Sequence, residues 1–151
     1  MKSSITWASL ICVALAACAP QSAPDAPAQT GALPAPTPAD VPLRIGEDQN
    51  GQIIEVAVGR RFAVELVGVP TAGYVWGVAE LPGFLAAAGE VSGNTIAEQN
   101  QPGYAGGNHW EVLMFDAVGA GTGDLVLEQR RPWEGGEEPA SQTFRVTIVA
   151  R

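Results

Sequence analysis

Few residues of this chain are equipped for covalent or metal chemistry. There is one histidine, His109, and there are two cysteines, Cys12 and Cys18. A serine nucleophile would need Ser22, Ser92 or Ser141 to meet His109, and none of these sits at the glycine-flanked turn that exposes such a nucleophile. A metal site would need partners for His109, but there is no second histidine and no ligand spacing around it. His109 reads instead as a polar residue at the start of a strand. Carboxylates are plentiful, yet Glu134, Glu137 and Glu138 fall together in a polar stretch that reads as a solvated loop. The expectation is a non-enzyme with no cofactor and no metal.

The cysteines have a different chemistry. Lys2 is followed by a mostly apolar run from Ile5 to Leu15, ending in Leu15-Ala16-Ala17-Cys18. This is the pattern of a cleaved secretory signal, spanning residues 1–17 and too short to be a stable transmembrane helix. The ending resembles the lipobox of bacterial lipoproteins. That resemblance implies that Cys18 becomes the first mature residue and carries acyl chains, each buried methylene adding about 0.8 kcal/mol of membrane affinity. Ala19 in place of aspartate after the cysteine points to an outer-membrane lipoprotein facing the periplasm or the cell surface. Cys12 would leave with the signal, so the mature chain would hold no disulfide, and its stability must come from packing.

The charge narrows the partners further. The formal net charge is −8, and losing Lys2, the only lysine, takes it to −9. Phosphate recognition rests on basic surface, so nucleic acid is not an expected partner. A polybasic patch for anionic lipid is also missing, which leaves lipidation of Cys18 as the membrane attachment. A monomer is expected.

The elements that would position a site begin after a spacer. Residues 18–42 are dominated by Ala, Pro, Thr, Gln and Ser, a composition that reads as an extended tether. The folded domain is assigned to residues 43–151, long enough for one core. Within it, Gln52–Val58, Phe62–Leu66, Tyr74–Val78, His109–Ala117, Leu125–Leu127 and Thr143–Ile148 read as strands, with a weaker segment over Asn94–Glu98. Phe62, Val64 and Leu66 alternate with Ala63 and Glu65, and Phe144, Val146 and Ile148 alternate with Thr143, Arg145 and Thr147. The run His109–Ala117 is apolar throughout, so its inward phase is not fixed by alternation. Phe84–Ala88 hints at one helical turn. Gly119–Gly123 reads as a turn. The pattern predicts an all-β, immunoglobulin-like sandwich of about seven strands, with Trp76 buried on a central strand.

Three loops stand out: Val69-Pro70-Thr71-Ala72-Gly73 before Tyr74, then Gln101 to Gly107, which contains Tyr104, Ala105, Gly106 and Gly107, then Arg131-Pro132-Trp133-Glu134-Gly135-Gly136. Each joins proline, which fixes φ, to glycine, which allows close backbone approach. One such loop is ordinary turn chemistry. Trp133 is different, since a tryptophan in a turn is awkward to bury and exposed aromatics anchor interfaces. Loops joining alternate strands of a sandwich emerge at the same end.

These loops resemble the signatures of the chagasin-like inhibitors of papain-type cysteine proteases: Asn-Pro-Thr-Thr-Gly-Tyr/Phe-x-Trp, Gly-x-Gly-Gly and Arg-Pro-Trp. Pro70, Thr71, Gly73, Tyr74 and Trp76 match the first, Gly106 and Gly107 the second, and Arg131, Pro132 and Trp133 the third. The resemblance implies an immunoglobulin-like fold and reversible, non-covalent blockage of a papain-like protease. The first loop would lie over the catalytic groups, with the other two on the rims. Val69 stands where the family has asparagine, Ala72 where it has threonine and Tyr104 where it has glycine, departures that bear on affinity more than on fold. The alternative is a non-inhibitory binding or structural envelope lipoprotein on the same sandwich.

Overall fold

The computed structural model describes residues 31–134 and 138–151. The signal segment, Cys18 and the spacer up to residue 30 lie outside the described residues.

Short segments separated by turns form eight strands: β1 (Leu43–Gly46), β2 (Ile53–Val56), β3 (Arg61–Gly68), β4 (Val75–Glu80), β5 (Leu85–Asn94), β6 (His109–Ala117), β7 (Gly121–Arg130) and β8 (Gln142–Ala150). They make two four-stranded sheets, ordered β1-β3-β6-β5 and β2-β8-β7-β4. The short outer strands β1 and β2 pair in parallel with β3 and β8, and the remaining pairs are antiparallel. The fold is thus an all-β sandwich, as expected, with eight strands in place of about seven.

The core lies between the sheets. Phe62, Val64 and Leu66 of β3 meet Leu113, Phe115 and Ala117 of β6, and these face Leu125 and Leu127 of β7 and Phe144, Val146 and Ile148 of β8. The alternation read in β3 and β8 is therefore the inward phase. The Phe62 and Phe115 rings pack at 5.6 Å between centroids.

Several expectations are corrected. The spacer does not run as far as Pro42. The described part of it, residues 31–42, forms a strap across the outer face of the first sheet. Val41 is buried with Ala63, Val112 and Met114 in a second apolar cluster, against which Ala35 and Val91 pack. The Leu33 N–H donates to the Thr95 carbonyl at 2.7 Å, the Trp110 indole donates to the Leu33 carbonyl at 2.8 Å, and the Thr37 hydroxyl donates to Glu65. Proline suits such a strap, because a chain lying across side chains needs few backbone donors. The strap also explains the unbroken apolar run of β6. Leu113 and Phe115 face the main core while Val112 and Met114 lie under the strap, so both faces are buried.

Phe84–Ala88 does not form a helical turn. Leu85 opens a ten-residue strand, and the register slips between Ala87 and Glu90 around Gly89, whose φ is +103°. The alanines have helical propensity, but pairing with β6 overrides it. Asn94–Glu98 is the end of that strand leading into a 3-10 turn at Ala97–Asn100, not a strand of its own. Gly121 and Gly123 belong to β7 rather than to a turn, and a β-carbon at Gly121 would stand 2.4 Å from the Phe84 ring. Trp76 is buried, but β4 is an edge strand rather than a central one.

Candidate functional site

The register fixes where the loops emerge. Gly68 at the end of β3 and Asn94 at the end of β5 both lie opposite His109, the first residue of β6. In the other sheet Val75 at the start of β4 opposes Arg130 at the end of β7, and Gln129 opposes Gln142 at the start of β8. The connections β3–β4, β5–β6 and β7–β8 thus leave the sandwich at one end. They follow the third, fifth and seventh strands, since the count is one higher than expected.

The first loop is a closed hairpin tip. The Val69 N–H donates to the Tyr74 carbonyl at 3.0 Å, and the Val69 carbonyl accepts from Ala72 at 2.9 Å and from Tyr74 at 3.1 Å. Pro70–Ala72 makes a single 3-10 turn with proline in its first position, where no N–H is needed. Gly73 ends the turn at φ +86°, and its N–H donates to the Pro70 carbonyl at 2.9 Å. Val69 therefore closes the loop with its backbone, although it lacks a side-chain acceptor. Pro70, Thr71 and Ala72 are exposed, whereas Gly73 is covered.

The cover on Gly73 comes from the third loop. A β-carbon at residue 73 would stand 2.0 Å from Cη2 of Trp133. The rest of the indole is open, leaving Trp133 70 % exposed. Arg131 completes the join: its Nε donates to the Ala72 carbonyl at 3.0 Å, its guanidinium sits 4.4 Å from the centroid of the Tyr74 ring, and it pairs with Glu134 at 2.8 Å. Pro132 is exposed beside them.

The second loop is built by its own glycines. Gly103, Gly106 and Gly107 have φ of +84°, +87° and +97°. The Tyr104 hydroxyl and the Gln99 amide lie over Gly107, where a β-carbon would stand 2.9 Å from Nε2 of Gln99. Tyr104 is 43 % exposed and Ala105 is open to solvent. Gln99 staples the root of the loop, accepting from the Thr95 N–H at 2.7 Å and donating to the Asn108 carbonyl at 2.8 Å.

Two more residues that the sequence did not mark lie beneath the tips. Gln129 is buried, donates to the Val67 carbonyl at 3.3 Å and accepts from the Ser141 hydroxyl at 2.9 Å. The Trp76 indole donates to the same Val67 carbonyl at 3.0 Å. Glu111 points inward from β6 and accepts the Trp76 N–H at 2.7 Å. These are supports placed by tertiary structure, and no local motif announces them. A cleft of about 590 Å³, walled by Pro70, Trp76, Glu90, His109 and Glu111 among others, opens beside them between the edges of β4 and β5. Among the described residues no cluster of His, Cys, Asp and Glu could hold a metal ion.

Known proteins are similar to this chain in sequence and in fold. A family described as chagasin family peptidase inhibitor I42 matches residues 55–148. Amoebiasin-1 of Entamoeba histolytica is 29 % identical over 109 residues, covering 70 % of this chain and 99 % of that protein. The crystal structure of the cysteine protease inhibitor EhICP2 from Entamoeba histolytica superposes with a TM-score of 0.60 at 19 % identity, over 72 % of this chain and 95 % of that one. The solution structure of Amebosin gives 0.57 at 29 % identity, over 72 % of this chain and 97 % of the other.

Proposed function

The chain belongs to the chagasin family of peptidase inhibitors, and from that membership we propose that it blocks papain-like cysteine proteases reversibly by filling their cleft with the three-loop end. The observation that carries the mode of action is the direct contact of the first and third loops, with Trp133 covering Gly73 and Arg131 holding Ala72. A plug must be stiff, because every rotor frozen on binding subtracts from affinity. The tip Val69–Tyr74 is cross-bonded before any partner arrives. Thr71 and Ala72 then present backbone to the catalytic groups, while Trp133 offers a large apolar surface and an indole N–H that can donate to an acceptor on the rim. The second loop, with Tyr104 and Ala105 exposed, meets the opposite rim.

A purely structural role would be compatible with a collapsed first loop and an inward Trp133. The open tip and the exposed indole favour inhibition. The test is tight-binding titration of active-site-titrated papain, and of a cathepsin-type enzyme, with the purified protein. Stoichiometric, reversible loss of activity is expected; full activity of both enzymes under a molar excess would refute the reading.

The address is part of the same proposal: a lipid on Cys18 holds the inhibitor in the cell envelope, the domain standing off an outer membrane. The Leu15-Ala16-Ala17-Cys18 ending supports this. Labelled fatty acid should enter the protein in cells and should fail to enter C18S.

A further inference from the structure

Glu111 sits where neither the loops nor the core requires a charge. Opposite Leu66 on β3 and Ser92 on β5, it shares the inward face of β6 with Leu113 and Phe115. Its carboxylate leaves the first sheet, passes Gly68 and ends on the backbone of the second sheet, where Oε2 accepts the Trp76 N–H at 2.7 Å. The passage depends on Gly68, since a β-carbon there would stand 1.7 Å from Oε1 and 2.6 Å from Cδ. Gly68 and Trp76 flank the first loop on its two sides. The Trp76 N–H belongs to an edge strand, and the carboxylate satisfies it.

We propose that Glu111 is a positioning residue for the inhibitory loop, a strut across the open end of the sandwich that fixes the separation of the two roots from which Val69–Tyr74 rises. Among the described residues Oε1 is buried without a partner, a cost that packing alone would not retain. A glutamine or a neutral side chain would fill the space more cheaply. A carboxylate, however, makes the stronger bond to an N–H, and strength is what a strut under a rigid tip needs. The groups facing it are Glu90 from β5 and His109 from β6, whose charges act on it in opposite senses. Gly68 forms one half of the device and Glu111 the other, so the two should act as a unit.

The inference rests on the inhibitory reading, and its test separates the two. E111A and G68A should each weaken inhibition of papain by at least about fivefold, the double variant should lose no more than the worse single one, and E111Q, which keeps an acceptor, should stay within about fivefold of the wild type. Independently of any protease, the Trp76 backbone amide resonance should move upfield in E111A, and by less in E111Q, whose neutral oxygen accepts more weakly. Should G68A fail to fold, E111A and E111Q still decide. Loss of less than about fivefold in E111A, or an unmoved Trp76 amide, overturns the strut. Failure of the wild type to inhibit overturns the function, while the amide shift still tests the strut.

Discussion

The benzene half of the Trp133 indole fills the space into which any side chain at Gly73 would project. Two loops that are distant in sequence therefore share one surface, and the smaller residue exists to admit the larger. Neither residue can be read alone. Gly73 looks like a turn glycine, and its φ of +86° accounts for it fully until Trp133 is seen above it.

Gly73→Ala should consequently harm inhibition more than stability. The left-handed backbone costs about 1–2 kcal/mol for an alanine. Displacing the indole adds a loss that appears only when the protease is bound. Inhibition constants and thermal melts measured on the same preparation should show binding falling further than the melt. Equal losses in the two would mean that Trp133 is a bystander.

Trp133→Ala should lower binding by at least about 2 kcal/mol, the range of interface hot spots. Because the side chain is 70 % exposed, the melting temperature should scarcely change. Titration against papain, paired with calorimetry, separates the two effects, and unaltered affinity would refute the anchoring role.

Val69→Asn should tighten binding several-fold, by about 0.5–1.5 kcal/mol. Val69 already closes the loop through its N–H and carbonyl. An asparagine side chain adds an acceptor two residues before Thr71, the geometry of an Asx turn. Side-by-side inhibition assays decide, and equal or weaker inhibition by the variant would show that a side-chain acceptor at this position adds nothing to the backbone closure.

How much of this could be read from residues alone varies with how local the cause is. β3 and β8 were legible because large apolar residues alternate there with small or polar ones. The tips were legible because proline and glycine act on their own backbone. β5 was missed because its alanines carry a helical preference that only pairing with β6 defeats. The role of residues 31–42 was missed because proline and alanine composition is shared by free spacers and by straps lying on a sheet. Glu111 and Gln129 were invisible for a third reason. Each meets its partners through turns and sheets that no spacing encodes.

The strap supplies a direct measurement. A chain beginning at residue 43 should be less stable to urea than one beginning at residue 31 by at least about 2 kcal/mol, the worth of a buried valine and the surface it covers. Val41 is 1 % exposed, and its loss uncovers Val112 and Met114. Equal midpoints and slopes would show that the strap only rests on the sheet.

Acidity offers a separate handle. Burial lifts the Glu111 carboxyl above its usual range, with the Trp76 N–H pulling it partly back. The folded protein then holds that proton more tightly than the unfolded chain, so stability falls as pH rises from about 4.3 through the raised value. Asp116 and Asp124 act in the opposite sense. Hydrogen bonds from Arg61 and Thr147 respectively hold them below the usual range, and their contribution disappears as pH drops below that range through the lowered values. Thermal melts of the wild type and E111Q should diverge in favour of E111Q as pH climbs above the usual glutamate range. A constant offset would place the lifted proton elsewhere.

The direction in which the strap enters the domain governs how the protein can be handled. The Ala97 N–H donates to the Gly31 carbonyl at 3.2 Å, at the foot of the second loop, while the carbonyl of Arg151 accepts from Val58 at the far end. A tag, dye or fusion partner joined directly at Gly31 would crowd the wedge. The same group on Arg151 would trail behind it, so immobilisation through the C-terminus leaves the wedge pointing outward toward an enzyme in solution.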